Sequence, residues 1–221
     1  MKEAWRRLRW VLIYGIFYMV SFYLVEHRTT RMHIMFCKLD NMIPFCKNFI
    51  IPYVLWFLFI AVTIAYFALF NKSRQEYYSL VINLGIGMTV FIFVSWIYPN
   101  GHFLRPFING DGFFDKAVRH LYSVDTPTNV FPSIHVFNSL VCCIALLKND
   151  RCRQHMGLSV GIVLLTVLII LSTVFLKQHS MVDVIGAFLL FFTTYPIVYP
   201  KAVRAPGHAG RVQRKNRLRH I

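Results

Sequence analysis

Long runs of apolar residues divide this chain of 221 residues and restrict the folds that it can adopt. A helix needs about 20 apolar residues to cross the roughly 30 Å of hydrocarbon in a bilayer. Six runs approach that length: about 9–25, 50–70, 79–98, 134–147, 157–176 and 181–199. The sequence therefore predicts an all-α, polytopic membrane protein, with six transmembrane helices in one bundle formed by residues 1–200.

Two details of these runs matter for the topology. The first run follows a basic start without a small-residue cleavage site, so we expect it to be a retained span rather than a signal peptide. The fourth run, Ile134 to Leu147, is only 14 residues long, which gives about 21 Å of helix. Its start must therefore lie below the membrane surface or be shielded by protein.

Lysine and arginine predict the orientation of the chain. With the N-terminus inside, the inner segments hold 16 of these residues and the outer segments hold 8. The bias favours cytoplasmic termini, and it places the segment after the fifth span on the extracytoplasmic side. Cys37 and Cys46 share one outer loop, where a disulfide could form.

The chain has a formal net charge of +15, and 7 of its 24 lysines and arginines lie in residues 201–221. Residues 201–221 lack apolar periodicity, and we expect a disordered cytoplasmic tail attracted to anionic lipid headgroups. The distribution of the charge favours this membrane role, and nucleic acid is not a predicted partner.

His179 and Asp183 follow the fifth run in the stretch FLKQHSMVD, residues 175–183. Because they are four residues apart, they share one face of a helix. A carboxylate there can accept the proton of one ring nitrogen, which leaves the other nitrogen as a nucleophile or base. The alternative is a structural His–Asp pair that caps a span.

A second group lies in FPSIHVFNS, where Ser133 precedes the fourth run. Ser133 is predicted to cap the helix start. A helix start presents free N–H groups and favours a bound anion such as phosphate. His135, in the first turn, would face the same volume. The alternative is a capped helix with an interfacial histidine.

Arg105 lies in a long polar segment, residues 99–133, whose length favours a functional role. Its guanidinium suits phosphate oxygens, although an outer-loop arginine can equally be a solvated charge. Taken together, these groups supply a nucleophile, an acid, an orienting carboxylate and an anion cradle for phosphoryl transfer without a metal. No cofactor is predicted, and the cysteines lack the spacing of a zinc site.

In this ordered set of motifs the chain resembles the type-2 phosphatidic acid phosphatase superfamily, which shares a site with vanadium haloperoxidases. The family pattern is Lys-x6-Arg-Pro, then Pro-Ser-Gly-His, then Ser-Arg-x5-His-x3-Asp. The matching residues are Arg105-Pro106, Pro132-Ser133-Ile134-His135, and Ser172 with His179 and Asp183.

The chain departs from this pattern at three positions. Tyr98 and Thr173 stand where the family has a lysine and an arginine, and Ile134 replaces its glycine. Lys177 is expected to replace one of the two lost cations. The ending STVFLKQH-x3-D and the stretch 39–56 are similar to a divergent branch that includes inositol phosphorylceramide synthase-like proteins.

The resemblance implies a membrane phosphatase that hydrolyses a lipid phosphomonoester or diphosphate. In that reading His179 forms a phosphohistidine, Asp183 orients it, and His135 is the general acid and base. The phosphoryl oxygens are held by Arg105, Ser133 and Lys177. Two alternatives stay open: a lipid headgroup phosphotransferase, and a proton-coupled transporter that uses the histidines and the aspartate as a relay.

Overall fold

The apolar runs fold into the long helices of the protein. A computed structural model describes residues 2–199. The long helices are α1 (Lys2–Glu26), α3 (Ile50–Ala65, continued by a π-helical turn over Tyr66–Phe70), α4 (Arg74–Ile97), α6 (Ile134–Lys148), α8 (Met156–Phe175) and α9 (Met181–Val198). The short helices are α2 (Lys38–Met42), α5 (Phe113–Val124) and α7 (Asp150–Arg153). The predicted tail, 201–221, lies outside the described residues.

Five helical segments are long and apolar enough to cross a membrane. These five cover every predicted span except the fourth, so the prediction of a mostly helical chain with membrane-spanning helices is confirmed to that extent. The fourth, α6, has 15 residues and measures about 22 Å. A sixth span formed by α6 stays a prediction.

Helix α6 is the most buried of the long helices, because it packs against α3, α4, α8 and α9. The other long helices expose large apolar side chains on their outer faces, as Ile16 and Phe17 do on α1. An apolar exterior of this kind fits a lipid environment. The short α6 therefore needs little contact with lipid, since the other helices surround it.

The long polar segment before α6 was expected to be a loop, and the structure places a helix within it. Helix α5 has 12 residues. Its buried Val118 and Leu121 join Ile50, Tyr53 and Leu176 in a second apolar core. Phe114, Val118 and Leu121 recur at helical spacing, so the sequence carries a local signal for an amphipathic helix, and packing against α3 stabilises it.

Backbone and side-chain hydrogen bonds fix the chain on both sides of α5. Strand β1 (His33–Ile34) pairs in parallel with β2 (Asn100–Gly101). The Asn100 side chain accepts from the N–H groups of Val130 and Phe131. These contacts position the segment from which α6 starts.

Gly87 marks the closest approach of α4 to α6. A Cβ atom at this position would lie 2.0 Å from Cε1 of Phe137, which is far inside van der Waals contact. We expect Gly87→Ala to lower the free energy of unfolding by about 1–3 kcal/mol, because the added methyl overpacks the helix pair. Thermal unfolding in detergent measures the change.

Gly161→Ala is the matched control for this prediction. Gly161 lies within a long apolar helix, α8, and a Cβ there would meet nothing within 4 Å. Its alanine variant should unfold at the wild-type temperature or slightly above it. Equal stability of the two variants would contradict the close packing of α4 on α6.

Candidate active site

The structure brings the two predicted histidines together. His135 lies in the first turn of α6, and His179 lies in the turn that joins α8 to α9. The Nδ1 atom of His135 is 3.3 Å from Nε2 of His179. Their side chains come from positions 44 residues apart, and both are buried. Direct contact between two imidazoles in a buried site allows proton transfer between them or to a group bound beside them.

Asp183 orients the ring of His179. Its Oδ2 atom lies 3.4 Å from Nδ1 of His179 and also accepts from the N–H of Ser180 at 2.9 Å. The carboxylate thus favours the tautomer in which Nδ1 carries the proton, which leaves the Nε2 lone pair of His179 facing His135. This is the tautomer that a nucleophilic imidazole requires.

The local backbone fixes the turn that carries His179. Helix α8 ends where Lys177 adopts a left-handed conformation, with φ of 53°. The N–H groups of Gln178 and His179 then both donate to the carbonyl of Thr173. Ser180 caps α9 immediately afterwards, in a capping box with Asp183. Both helix ends are therefore satisfied within a few residues, and the turn holds one geometry.

Ser133 is the N-cap of α6, as the sequence predicted, and its hydroxyl accepts from the N–H of Val136. Its own N–H donates to the backbone carbonyl of Asp183 at 3.2 Å. The start of α6 is thereby attached to the first turn of α9. The Ser133 side chain is fully buried, at the helix end nearest to both histidines.

Arg105 lies beside the histidines and contacts the residue that precedes His179. Its guanidinium donates to the side chain of Gln178 and to the backbone carbonyls of Asp125 and Tyr122. Its buried Nε–H has no partner in the described chain. Burial lowers the pKa of Arg105 from its ordinary value, but an arginine stays charged at physiological pH. Arg105 therefore keeps a donor for an anionic ligand.

The side chain of Lys177 is bonded to the segment around α2. Its Nζ donates to the backbone carbonyls of Asp40 and Ile43, at 2.7 and 2.5 Å, and its side chain is buried. Burial lowers the pKa of Lys177. Like the guanidinium of Arg105, the ammonium of Lys177 is therefore occupied by backbone carbonyls of a neighbouring segment. Its role as a phosphate ligand stays a prediction.

Three residues near the histidines were missing from the sequence-based prediction: His102, Asp125 and Gln178. Gln178 connects the other two, since its backbone carbonyl accepts from Nε2 of His102 at 2.8 Å and its side chain donates to the Asp125 carboxylate at 3.3 Å. His102 and Gln178 lie within three residues of predicted motif residues, whereas Asp125 lies at the end of α5, away from every motif. Only the folded chain shows that they surround the pair.

Aromatic rings enclose His135 from the side of α3. The ring centroids of Trp56 and Tyr53 lie 4.3 and 4.7 Å from that of His135. The hydroxyl of Tyr53 donates to the carboxylate of Asp125 through a short hydrogen bond. The imidazole is thus held between α3 and the segment that follows α5. Tyr53 and Trp56 belong to the stretch 39–56, which the motif comparison had already singled out.

Burial keeps His102 and His179 neutral. The pKa of His179 is lowered to about 4, mainly because burial removes solvent from the charged form, and the pKa of His102 is lowered to about 4 for the same reason. Leu104 donates its N–H to Nδ1 of His102, so Nε2 carries the proton. A neutral His179 has the free lone pair that a nucleophile needs.

No group of three or more histidine, cysteine, aspartate or glutamate side chains in residues 2–199 is arranged to hold a metal ion. All five cysteines, including Cys37 and Cys46, are free thiols.

Comparisons with protein-family models, curated proteins and solved structures found no significant match to this chain. The chemical interpretation of the site therefore depends on its own geometry.

The hydrogen bonds of Lys177 lead to a prediction that distinguishes a structural role of this side chain from a role in phosphate binding. Lys177→Ala leaves two carbonyls unsatisfied, and we expect a loss of about 1–3 kcal/mol in unfolding free energy. Lys47→Ala is the control, because Lys47 makes an ion pair with Asp115 from a half-exposed position and should cost at most about 1 kcal/mol. An unchanged melting temperature with a raised KM would instead assign Lys177 to the phosphate.

The neutral state of His102 and His179 leads to a prediction for the pH dependence of folding stability. In the folded chain the pKa values of His102 and His179 lie near 4, below the ordinary value of 6.5. The unfolded chain therefore binds more protons between these values, and stability is lost as pH falls from about 6.5 to about 4. Melting temperatures in detergent across this range measure the loss.

His102→Asn should reduce the slope of that loss, because one of the two protonation steps is removed. His120→Asn is the matched control, since His120 is exposed on α5 and its replacement should leave the slope unchanged. A wild-type melting temperature that stays constant from pH 7 to pH 4.5 would contradict the neutral, buried state of these histidines.

Proposed function

We propose that this protein is a membrane enzyme that hydrolyses a phosphomonoester or diphosphate of a lipid through a phosphohistidine, in the manner of the superfamily that its motifs resemble. The observation that carries the proposal is the buried chain of contacts from His135 to His179 to Asp183. It offers one oriented lone pair and one adjacent proton carrier. These are the groups that metal-independent phosphoryl transfer needs.

The first half-reaction forms a bond between Nε2 of His179 and phosphorus. The bond from phosphorus to the lipid oxygen breaks, and His135, protonated on both ring nitrogens, gives its Nδ1 proton to that oxygen. Asp183 stabilises the positive charge that develops on His179. Asp125, whose carboxylate accepts hydrogen bonds from Tyr53 and Gln178 beside the pair, is the group proposed to stabilise the proton on His135. A phosphoryl group bound here requires the two rings to separate, since they are now in contact.

The second half-reaction returns the enzyme to its starting state. Neutral His135 takes a proton from water, and the resulting hydroxide oxygen attacks phosphorus as the P–N bond breaks. Inorganic phosphate leaves, and His179 regains its lone pair. Stabilisation of the phosphoryl oxygens is expected from the Arg105 guanidinium and from the N–H groups at the start of α6, with Ser133 shaping that helix end.

The proposed topology has six helices crossing the membrane with both termini in the cytoplasm. The site then lies on the extracytoplasmic side, at the starts of α6 and α9. The twofold excess of basic residues in the inner segments supports this orientation. The basic tail would contact anionic lipid headgroups of the inner leaflet.

A second candidate is transfer of the phosphorylated headgroup to the hydroxyl of another lipid. The burial of the site favours it, because His135 and His179 are only 7% and 6% exposed. A site closed to bulk water protects a phosphohistidine until an alcohol arrives. Phosphate release from a single lipid substrate, with no alcohol acceptor added, would favour hydrolysis over transfer.

Isotope trapping tests the covalent intermediate. After incubation with a phosphorus-labelled aryl phosphate and denaturation in alkali, the wild type should carry alkali-stable label. His179→Ala should carry none and lose turnover by about a thousandfold or more. His135→Ala should accumulate label, because an aryl leaving group needs no proton whereas the attacking water still needs a base.

His120→Ala is the control for these variants, since His120 is an exposed histidine on α5 outside the site. Its turnover and labelling should match the wild type, and treatment with a chelator should change neither. Full turnover by His179→Ala would reject the covalent mechanism. Loss of activity with the chelator would reject metal independence.

A further inference from the structure

Three phenylalanines near Arg105 are unusually exposed. Phe103, Phe107 and Phe113 are 82%, 88% and 80% exposed, more than any other large apolar side chain that the structure describes. They belong to residues 103–113, named here the phenylalanine loop. Scattered exposed apolar residues are ordinary, but a group of such rings beside a binding site marks an interaction surface.

The three rings are exposed although hydrogen bonds hold the backbone of the loop. Before Phe103, His102 is bonded to the carbonyl of Gln178. Between Phe103 and Phe107, the Arg105 side chain is bonded to Gln178 and to two backbone carbonyls. Before Phe113, Arg119 donates to the carbonyls of Ile108 and Gly110. The backbone is therefore held in place while the rings project from it.

The surroundings of the loop indicate what covers it. Helix α5, which starts at Phe113, packs against α3, whose exposed Ile51 and Val54 belong to a segment apolar enough to cross a membrane. The loop thus leads into a helix that packs on a segment suited to lipid. Lys116 is exposed one turn after Phe113. Aromatic rings beside an exposed cation are typical of the boundary between acyl chains and phosphate headgroups.

We propose that the phenylalanine loop inserts its three rings into the phospholipid leaflet on the side of the active site. The inserted loop would hold Arg105 at the depth of the lipid phosphates. This second step rests on the proposed function, and it specifies the substrate as a phosphorylated lipid that stays in the membrane, rather than a soluble phosphate ester.

Depth measurements test the insertion without reference to activity. A variant without its five native cysteines receives a nitroxide spin label at Phe103→Cys, Phe107→Cys or Phe113→Cys, in vesicles of phosphatidylcholine and phosphatidylglycerol. Labels at these positions should collide more often with oxygen than with a water-soluble nickel complex. Asp111→Cys is the control, because Asp111 is a 92% exposed charged side chain on the same loop and its label should show the reverse preference.

Two results of this measurement would overturn the proposal. Equal access of the nickel complex to the phenylalanine positions and to position 111 would show that the rings face water. Spin–spin broadening between labels on different molecules would show that the rings contact a second copy of the chain instead of lipid.

Activity then tests the consequence for the substrate. The triple variant Phe103→Ser, Phe107→Ser, Phe113→Ser should lose about tenfold or more in kcat/KM for a long-chain lipid phosphate in vesicles, because the loop no longer partitions into the leaflet. Its kcat/KM for a water-soluble aryl phosphate should match the wild type. An equal loss on both substrates would overturn the membrane role, since it would show that the loop shapes the site itself.

The two arms separate the failure of this inference from the failure of the proposed function. If the wild type turns over no phosphate ester while the labels lie in the lipid, the proposed enzyme is wrong and the inserted loop stands. If the wild type is active while the labels face water, the enzyme stands and the inserted loop is wrong.

Discussion

The buried Asp183 joins the two halves of the candidate site. Its carboxylate accepts from the ring of His179 and from the backbone of Ser180, and its carbonyl accepts from the N–H of Ser133 at the start of α6. A carboxylate removed from water is costly unless hydrogen bonds replace its hydration. The bonds to His179 and Ser180 offset part of this cost at Oδ2, while Oδ1 has no partner in the described residues. Together with the bond from Ser133, they hold the start of α6 beside His179.

Most polar groups around His135 and His179 form hydrogen bonds that hold the site in place. Asp40 accepts from the Ser180 hydroxyl and from the N–H of Met181, so the segment around α2 stabilises the start of α9. Lys177 is bound to the same segment. Under the proposed function, the site would therefore attract an anion through Arg105 and the N–H groups at the start of α6. A substrate positioned by the membrane as well as by charge would suit such a site.

Much of the helical framework is predictable because its signal is local. The runs near 134–147 and 181–199 became Ile134–Lys148 and Met181–Val198, since an apolar stretch bounded by capping residues has one simple solution in lipid. Helix α5 was missed although Phe114, Val118 and Leu121 recur at helical spacing, because the turn-forming residues on both sides of it favoured a loop for the whole segment. The π-helical turn at Tyr66–Phe70 gave no signal in the sequence. Its hydrogen bonds span five residues instead of four, and a single such turn leaves no distinct residue pattern.

The sequence alone determined the six long apolar helices, that Ser133 caps α6, and that His179 and Asp183 are near neighbours, because each depends on residues within a few positions of one another. Only the tertiary structure decided that His135 and His179 meet, that Gln178 joins Arg105 to Asp125 and His102, and that Lys177 is bound to the backbone of residues 40–43. Those contacts join residues far apart in the chain. Their geometry is set by helix packing and by the need to satisfy buried polar groups, and no local pattern encodes either.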